Sequence, residues 1–153
     1  MVSPASLEDV VNADGEVLVS VGVHFDDLDS LGMLHNSRYA TLAERAWVEY
    51  WQRHGIGVDA DGGLLEDGYN VVKELLVTFD RSIHRPGRYA AALSLEKIGR
   101  SSLTYRFRIC SAEGDVTYAH GKRTIIRVDQ HTLRPTEWTA AARDLVSRLQ
   151  PAA

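Results

Sequence analysis

The stretch "HFDDLDSLGMLHNSRYATLAERAWVEYW" runs from His24 to Trp51 and sets Asp26, Asp27 and Asp29 between His24 and His35. Crowded carboxylates repel one another, so their clustering asks for a use. One use is a hard metal or zinc, with His24, Asp26, Asp27, Asp29 and His35 as ligands. "DLDSLG" begins like a calcium loop, but the fifth position is Leu31 and the twelfth is Arg38, where oxygen ligands are needed. Zinc would want closer His/Cys pairing, and the single cysteine, Cys110, is distant in sequence. No metal is therefore expected. What remains is a solvated loop whose carboxylates sit near the positive end of a helix dipole. Phosphate-binding and GxGxxG loops are absent, as is a GxSxG nucleophile elbow. Cys110 falls inside an expected strand and reads as a small core residue. His84, in "SIHRPGR", reads as an exposed turn residue.

The elements that must hold this loop follow from periodicity. Val17, Val19, Val21 and Val23 alternate with Leu18, Ser20 and Gly22, which predicts a strand over Glu16 to Phe25. After the acidic loop, a helix is expected from about Ser37 to His54, stopped by Gly55. At 100° per residue Tyr39, Leu42, Ala43, Ala46, Trp47, Tyr50 and Trp51 share one arc. Arg38, Thr41, Arg45, Glu49 and Gln52 lie opposite, and Val48 interrupts that polar face as a candidate subunit contact. "GIGVDADGGLLEDG" predicts a loop with at most a short helical turn. Four strands follow in "NVVKELLVTFDR", "GRYAAALSLEKIG", "SSLTYRFRIC" and "DVTYAHGKRTIIRV", with "AEGD" as a hairpin turn. "RPTEWTAAARDLVSRL" predicts a short terminal helix capped by Thr136, with Trp138, Ala142, Leu145 and Leu149 as its apolar stripe. One long helix and one antiparallel sheet give an α+β class. The first helix is too apolar for an outer surface, so the sheet is expected to curl around it.

The chain of 153 residues has 44% hydrophobic and 25% charged residues, an ordinary balance for one soluble domain. A single domain over 1–153 is expected, with its core at about 17–137. The net charge of −4, without a basic run, speaks against a nucleic-acid partner. No apolar run reaches membrane-spanning length. "MVSPASLEDVV" lacks the charged start and apolar core of a leader. One cysteine allows no internal disulfide and fits a reducing compartment, so the expected location is cytoplasmic.

"DLDSLGMLHNSRYATLAERA" resembles the signature of the 4-hydroxybenzoyl-CoA thioesterase-like family, which has the hotdog fold. Asp27, Asp29, Gly32, Asn36, Tyr39, Glu44, Arg45 and Ala46 fall in register with that pattern. "EKIGRSSLTYRFRI" is similar to the family's Gly-Arg-Ser-Ser turn, and "AHGKRTIIRVD" and "TLRPTE" to its last strand and tail. The resemblance covers roughly residues 17–137. Met33 and His35 depart from the commoner His and Asn of one branch, Trp47 from a basic residue, Ser82 from Pro, and "RPGR" at 85–88 from Gly-Asp.

The resemblance implies a five-stranded antiparallel sheet wrapped around one long central helix. It also implies an acyl-CoA thioesterase without cofactor, working as a homodimer or homotetramer. Thioester hydrolysis needs a base or nucleophile on one side and oxyanion donors on the other. The resemblance gives the first role to Asp29, as nucleophile or general base. The second falls to the backbone N–H near Asn36 at the helix start, where N–H groups lack helical partners. Gly32 permits the tight turn between them. Gly32, Met33, His35 and Tyr39 are expected to contact substrate at the pocket, and Asp27 in a structural role. Lys97 and Arg100, beside Gly99, are candidates for the phosphates of coenzyme A. Glu44 is expected in a buried pair or interface, with catalysis as its alternative. Competing readings are an acyl-carrier-protein thioesterase, a non-catalytic acyl-CoA-binding module and, less favoured, a hotdog dehydratase.

Overall fold

A computed structural model describes residues 8–149 and 151. Most of the N-terminal stretch read for a leader lies outside these residues. The elements run β1 (Val10–Val11), β2 (Val17–Val23), α1 (Asn36–Arg53), β3 (Asn70–Phe79), β4 (Gly87–Ile98), β5 (Ser102–Ser111), β6 (Thr117–Arg127) and α2 (Ala140–Ser147). The strands form one antiparallel sheet in the order β1-β2-β4-β5-β6-β3. The sixth strand, beyond the five expected, is β1. It pairs only Val10 with Leu18 and Val11 with Val17, too short a ladder to leave an alternation in the sequence.

α1 lies in the concave face of this sheet. All seven residues of the predicted arc, Tyr39 through Trp51, are buried. Trp47 stacks flat on Tyr105 of β5, with ring centroids 3.9 Å apart and planes 2° from parallel. At about 1.5–3 kcal/mol for each large side chain buried, packing outweighs local propensity in fixing this helix. The opposing wall comes from Val17, Val19, Val21 and Val23, the inward set of β2. Irregular registers at Val72/Glu74, Leu95/Lys97 and Ile109/Cys110 bend the strands around the helix. Gly121 lets β3 close on β6, since a Cβ there would overlap the Leu76 carbonyl oxygen.

The C-terminal helix starts later than predicted. Thr136 does not cap it; Thr139 does, its hydroxyl oxygen accepting the Ala142 N–H at 3.2 Å. The reason is competition from the sheet end. Thr136 N–H donates to Arg127 and Trp138 N–H to Arg100, which keeps 135–138 extended. The expected stripe of Trp138, Ala142, Leu145 and Leu149 is nonetheless buried, with Trp138 edge-on to Trp51 at 5.6 Å. Among the described residues, no helix is long and apolar enough to cross a membrane.

Candidate active site

The acidic loop is a wired turn rather than a cluster of free charges. β2 ends at Val23 because the Asp27 carboxylate accepts the His24 N–H at 2.8 Å and closes a 3-10 turn over 25–27. The other Asp27 oxygen lies 3.8 Å from Arg38 of α1. The Asp27 carbonyl accepts the His35 N–H at 3.2 Å. Asp27 therefore ties the loop to the helix start, the structural role expected of it.

Asp29 heads the next turn. Its N–H donates to the Met33 carbonyl at 2.7 Å, and its own carbonyl accepts the Gly32 N–H at 3.0 Å. Gly32 sits at φ +75°, a conformation that penalises a side chain. The Asp29 Oδ1 atom accepts the N–H groups of Leu31 (2.8 Å) and Met33 (3.1 Å). These two bonds fix the orientation of the carboxylate. Oδ2 has no hydrogen-bond partner among the described residues.

α1 begins one residue earlier than predicted because the His35 ring supplies its cap. Nδ1 accepts the Ser37 N–H at 3.1 Å. Each backbone N–H around it is claimed: Leu34 by the Ile83 carbonyl, His35 by that of Asp27, Ser37 by the His35 ring, Arg38 by the His35 carbonyl. The Asn36 N–H has no acceptor among the described residues. It stands at the first helical position, where no intrahelical bond is possible. Asp29 and Asn36 line one cavity of about 220 Å³, together with Met33, His35 and Tyr39. Gly32, expected with them, does not line this cavity; it shapes the turn beside it. Tyr39 Oη accepts the Ile83 N–H at 3.3 Å. Burial raises the Tyr39 hydroxyl's pKa, partly offset by that bond. Tyr39 thus braces the wall as a neutral phenol.

Sequence reasoning missed Leu34 beside the loop and three lining residues from a distant part of the chain, Phe79, Arg81 and Ser82. These three come from the end of β3 and the crossover to β4, about 45 residues downstream of the loop. The available signal was charge: Arg81 opens the basic run "RSIHRPGR".

Lys97 and Arg100 lie elsewhere. Gly87 at the start of β4 pairs with Val23 beside the acidic loop, whereas Lys97 is near the other end of that strand. At about 3.3 Å per residue the two ends are roughly 30 Å apart. Arg100, in the turn beyond, has its Nε 3.9 Å from Glu137.

A larger cavity of about 420 Å³ opens between the second half of α1, the 56–68 loop and the Asn70 end of β3. Trp47, Trp51, Ile56, Leu64 and Val72 give it apolar walls, with Glu44 and Arg123 at its edge. Arg123 is buried and stands 3.3 Å from Glu44, so the expected pair exists although Glu44 itself is half-exposed. Arg123 Nη1 also donates to Tyr105 Oη at 3.3 Å. Burial pushes that phenol up to about 12. Among the described residues, no three His, Cys, Asp or Glu side chains are grouped to hold a metal ion.

Comparison with known proteins follows the same lines. The family described as the Thioesterase superfamily matches residues 31–118, more than half of the chain. No curated protein sequence gives a significant match. Among solved structures, a thioesterase from Thermus thermophilus, complexed with coenzyme A and Zn, is 28% identical with a TM-score of 0.68. That match covers 84% of this chain and 90% of the other. The PA5185 protein from Pseudomonas aeruginosa superimposes with a TM-score of 0.77 at 22% identity, over 89% and 92% of the two chains. A DHNA-CoA thioesterase from Staphylococcus aureus gives 0.71 at 21% identity, over 86% and 88%. At those two identities the likeness speaks for the fold, a sheet curled around one long helix.

Proposed function

The chain belongs to the thioesterase superfamily, and from that premise we propose that it hydrolyses an acyl-CoA to the free acid and coenzyme A. One observation carries the assignment of roles: the Asn36 N–H, unclaimed by any described acceptor, shares a cavity with the Asp29 carboxylate. The thioester oxygen accepts that N–H, where the α1 dipole favours developing negative charge. Asp29 acts through Oδ2, either attacking the carbonyl carbon or taking a proton from the attacking water, while Oδ1 stays bonded to Leu31 and Met33. The carbonyl then re-forms and the thiolate of coenzyme A leaves. Water attack gives the free acid directly, whereas attack by Asp29 gives a mixed anhydride that a water then hydrolyses to free the acid and the carboxylate. Tyr39, Met33 and His35 hold the walls and the helix start.

The working unit is a homodimer. β3 is a sheet edge, and Val71, Val72, Leu75, Leu76 and Phe79 on it are exposed. Such an edge is a template for pairing with another chain. The catalytic cavity lies at its Phe79 end and the larger cavity at its Asn70 end. Antiparallel pairing of two β3 strands sets the catalytic cavity of one protomer beside the larger cavity of its partner. Asp29 from one copy then meets an acyl group housed by the other. Lys97 and Arg100, also toward the Asn70 end, reach a catalytic site only across such a pairing.

The test is steady-state release of free thiol from an acyl-CoA panel spanning chain length and aromaticity, run beside matched acyl-carrier-protein substrates. Turnover of acyl-CoA supports the reading. Turnover of carrier-protein substrates alone moves the substrate. Tight acyl-CoA binding without turnover of either makes the chain a binding module and overturns it.

A further inference from the structure

The run "RSIHRPGR", residues 81–88, carries Arg81, His84, Arg85 and Arg88 without an acid, in a chain whose net charge is −4. The structure holds it firmly. The Ile83 carbonyl accepts the Leu34 N–H at 2.7 Å, and the Ile83 N–H donates to Tyr39. Tyr89 Oη donates to the Arg85 carbonyl at 2.7 Å. Among the described residues, the side chains of Arg81, Arg85 and Arg88 have no carboxylate partner. Neither does Arg45 of α1, whereas Arg38 on the same helix is paired with Asp27.

Two of these unpaired cations converge. Arg45 and Arg88 line a third cavity, of about 250 Å³, with His24, Ser20 and Gly22. Arg88 is the cross-strand partner of Gly22. Its Nη1 and the His24 Nε2 lie 3.3 and 3.4 Å from the point where a Cβ on Gly22 would stand, so both groups overhang the same bare backbone. The cavity wraps an open sheet edge. β1 covers only Val17 and Leu18, which leaves Val19 to Val23 unpaired on that side among the described residues. Alternate N–H groups along this edge have no ladder partner among the described residues and are further donors. Glu49, the one acid among the described residues lining the cavity, lies 3.3 Å from Arg53. Two guanidinium groups, an imidazole, a hydroxyl and free edge N–H groups make a receptor for a phosphate ester.

The same run links this cavity to the chemistry. Arg81 lines the catalytic cavity and Arg88 lines the third. Seven residues separate them, at most roughly 25 Å of chain. That is the order of the extended pantetheine arm between the sulfur and the phosphates of coenzyme A. We propose that the cleft at the open edge of β2, between Arg45 and Arg88, binds the phosphates of the substrate's coenzyme A on the protomer that supplies Asp29. Lys97 and Arg100 are then dispensable for holding them. The assignment rests on the acyl-CoA reading above but is read out by binding alone.

The probes are coenzyme A and adenosine 3′,5′-bisphosphate, titrated calorimetrically against the wild type, Arg45→Gln/Arg88→Gln and Lys97→Gln/Arg100→Gln. Both cleft arginines are at the surface, and thermal melts check that the variants fold. Arg45→Gln/Arg88→Gln should weaken both probes about tenfold or more and flatten the salt dependence. Arg45→Lys/Arg88→Lys, which keeps the charge, should recover part of the affinity. The single charge reversal Arg88→Glu should weaken both probes as well. The proposal falls if the wild type does not bind the probes, if the cleft variants bind like wild type, or if Lys97→Gln/Arg100→Gln carries the loss instead. Loss of binding in the cleft variants, with no acyl-CoA hydrolysed by the wild type, would overturn the hydrolase reading and leave the cleft standing.

Discussion

Replacing Asp29 by Asn removes the charge and keeps the shape. The retained Oδ1 can still accept the N–H groups of Leu31 and Met33, now at 2.8 and 3.1 Å. Bonds to a charged acceptor contribute about 1 kcal/mol more than bonds to a neutral one. Asp29→Asn should therefore cost about 1–2 kcal/mol of stability, a Tm loss of roughly 2–8 °C for a chain of this size. Its effect on chemistry should be larger. An amide at Oδ2 neither attacks a carbonyl nor accepts a proton from water, so kcat should fall by roughly 10²–10⁴, about 2.7–5.4 kcal/mol of barrier. Asp27→Asn weakens the His24 cap and the Arg38 contact, and should show in Tm and KM with kcat changed only a few-fold. The assay is thiol release from the best acyl-CoA found, with melting curves on the same preparations. If Asp29→Asn keeps more than a tenth of wild-type kcat while Asp27→Asn or Glu44→Gln abolishes turnover, the base has been put on the wrong carboxylate.

Leu75→Glu places a charge on the exposed edge of β3 and should yield a monomer of 17.0 kDa with little activity; a full-activity monomer in sedimentation of the wild type would sink the dimer. Gly121→Ala forces a Cβ into the Leu76 carbonyl and should destabilise by more than about 3 kcal/mol, or fail to fold, since the clash is with backbone; a Tm within a few degrees of wild type would contradict that packing. Burial pushes the Cys110 thiol up to about 11 from 9.0. The thiol of the native protein should resist iodoacetamide at pH 8 and react only after unfolding. The sign for stability follows: the unfolded chain loses this proton from about pH 9 and the folded one only near 11, so stability is full below 9 and declines between the two; a Tm rising through that window would refute it.

Much of the frame was legible in the chain because its signals are local. The 3.6-residue recurrence from Tyr39 to Trp51 named all seven buried residues of α1, and the Val17–Val23 alternation named the inward face of β2. The spacing of Asp27, Asp29, Gly32 and Asn36 marked the loop, because its turns are closed within about ten residues by backbone and carboxylate bonds. The Thr136 cap was misread because a bond across the fold, Trp138 N–H to Arg100, outcompeted a local preference. Phe79 and Arg81 join Asp29 only because β3 and β4 bracket the helix start, an outcome of strand order and register that no periodicity in one segment encodes. The same long-range register put Lys97 and Arg100 at the far end of β4. It brought Arg45 and Arg88 together from points 43 residues apart, by packing a helix face against a strand edge. Residue types and short-range spacing thus determined the main elements and the acidic loop. Tertiary pairing alone decided which charges face that loop, since the distance between side chains on different elements depends on contacts that close only when the whole sheet has formed.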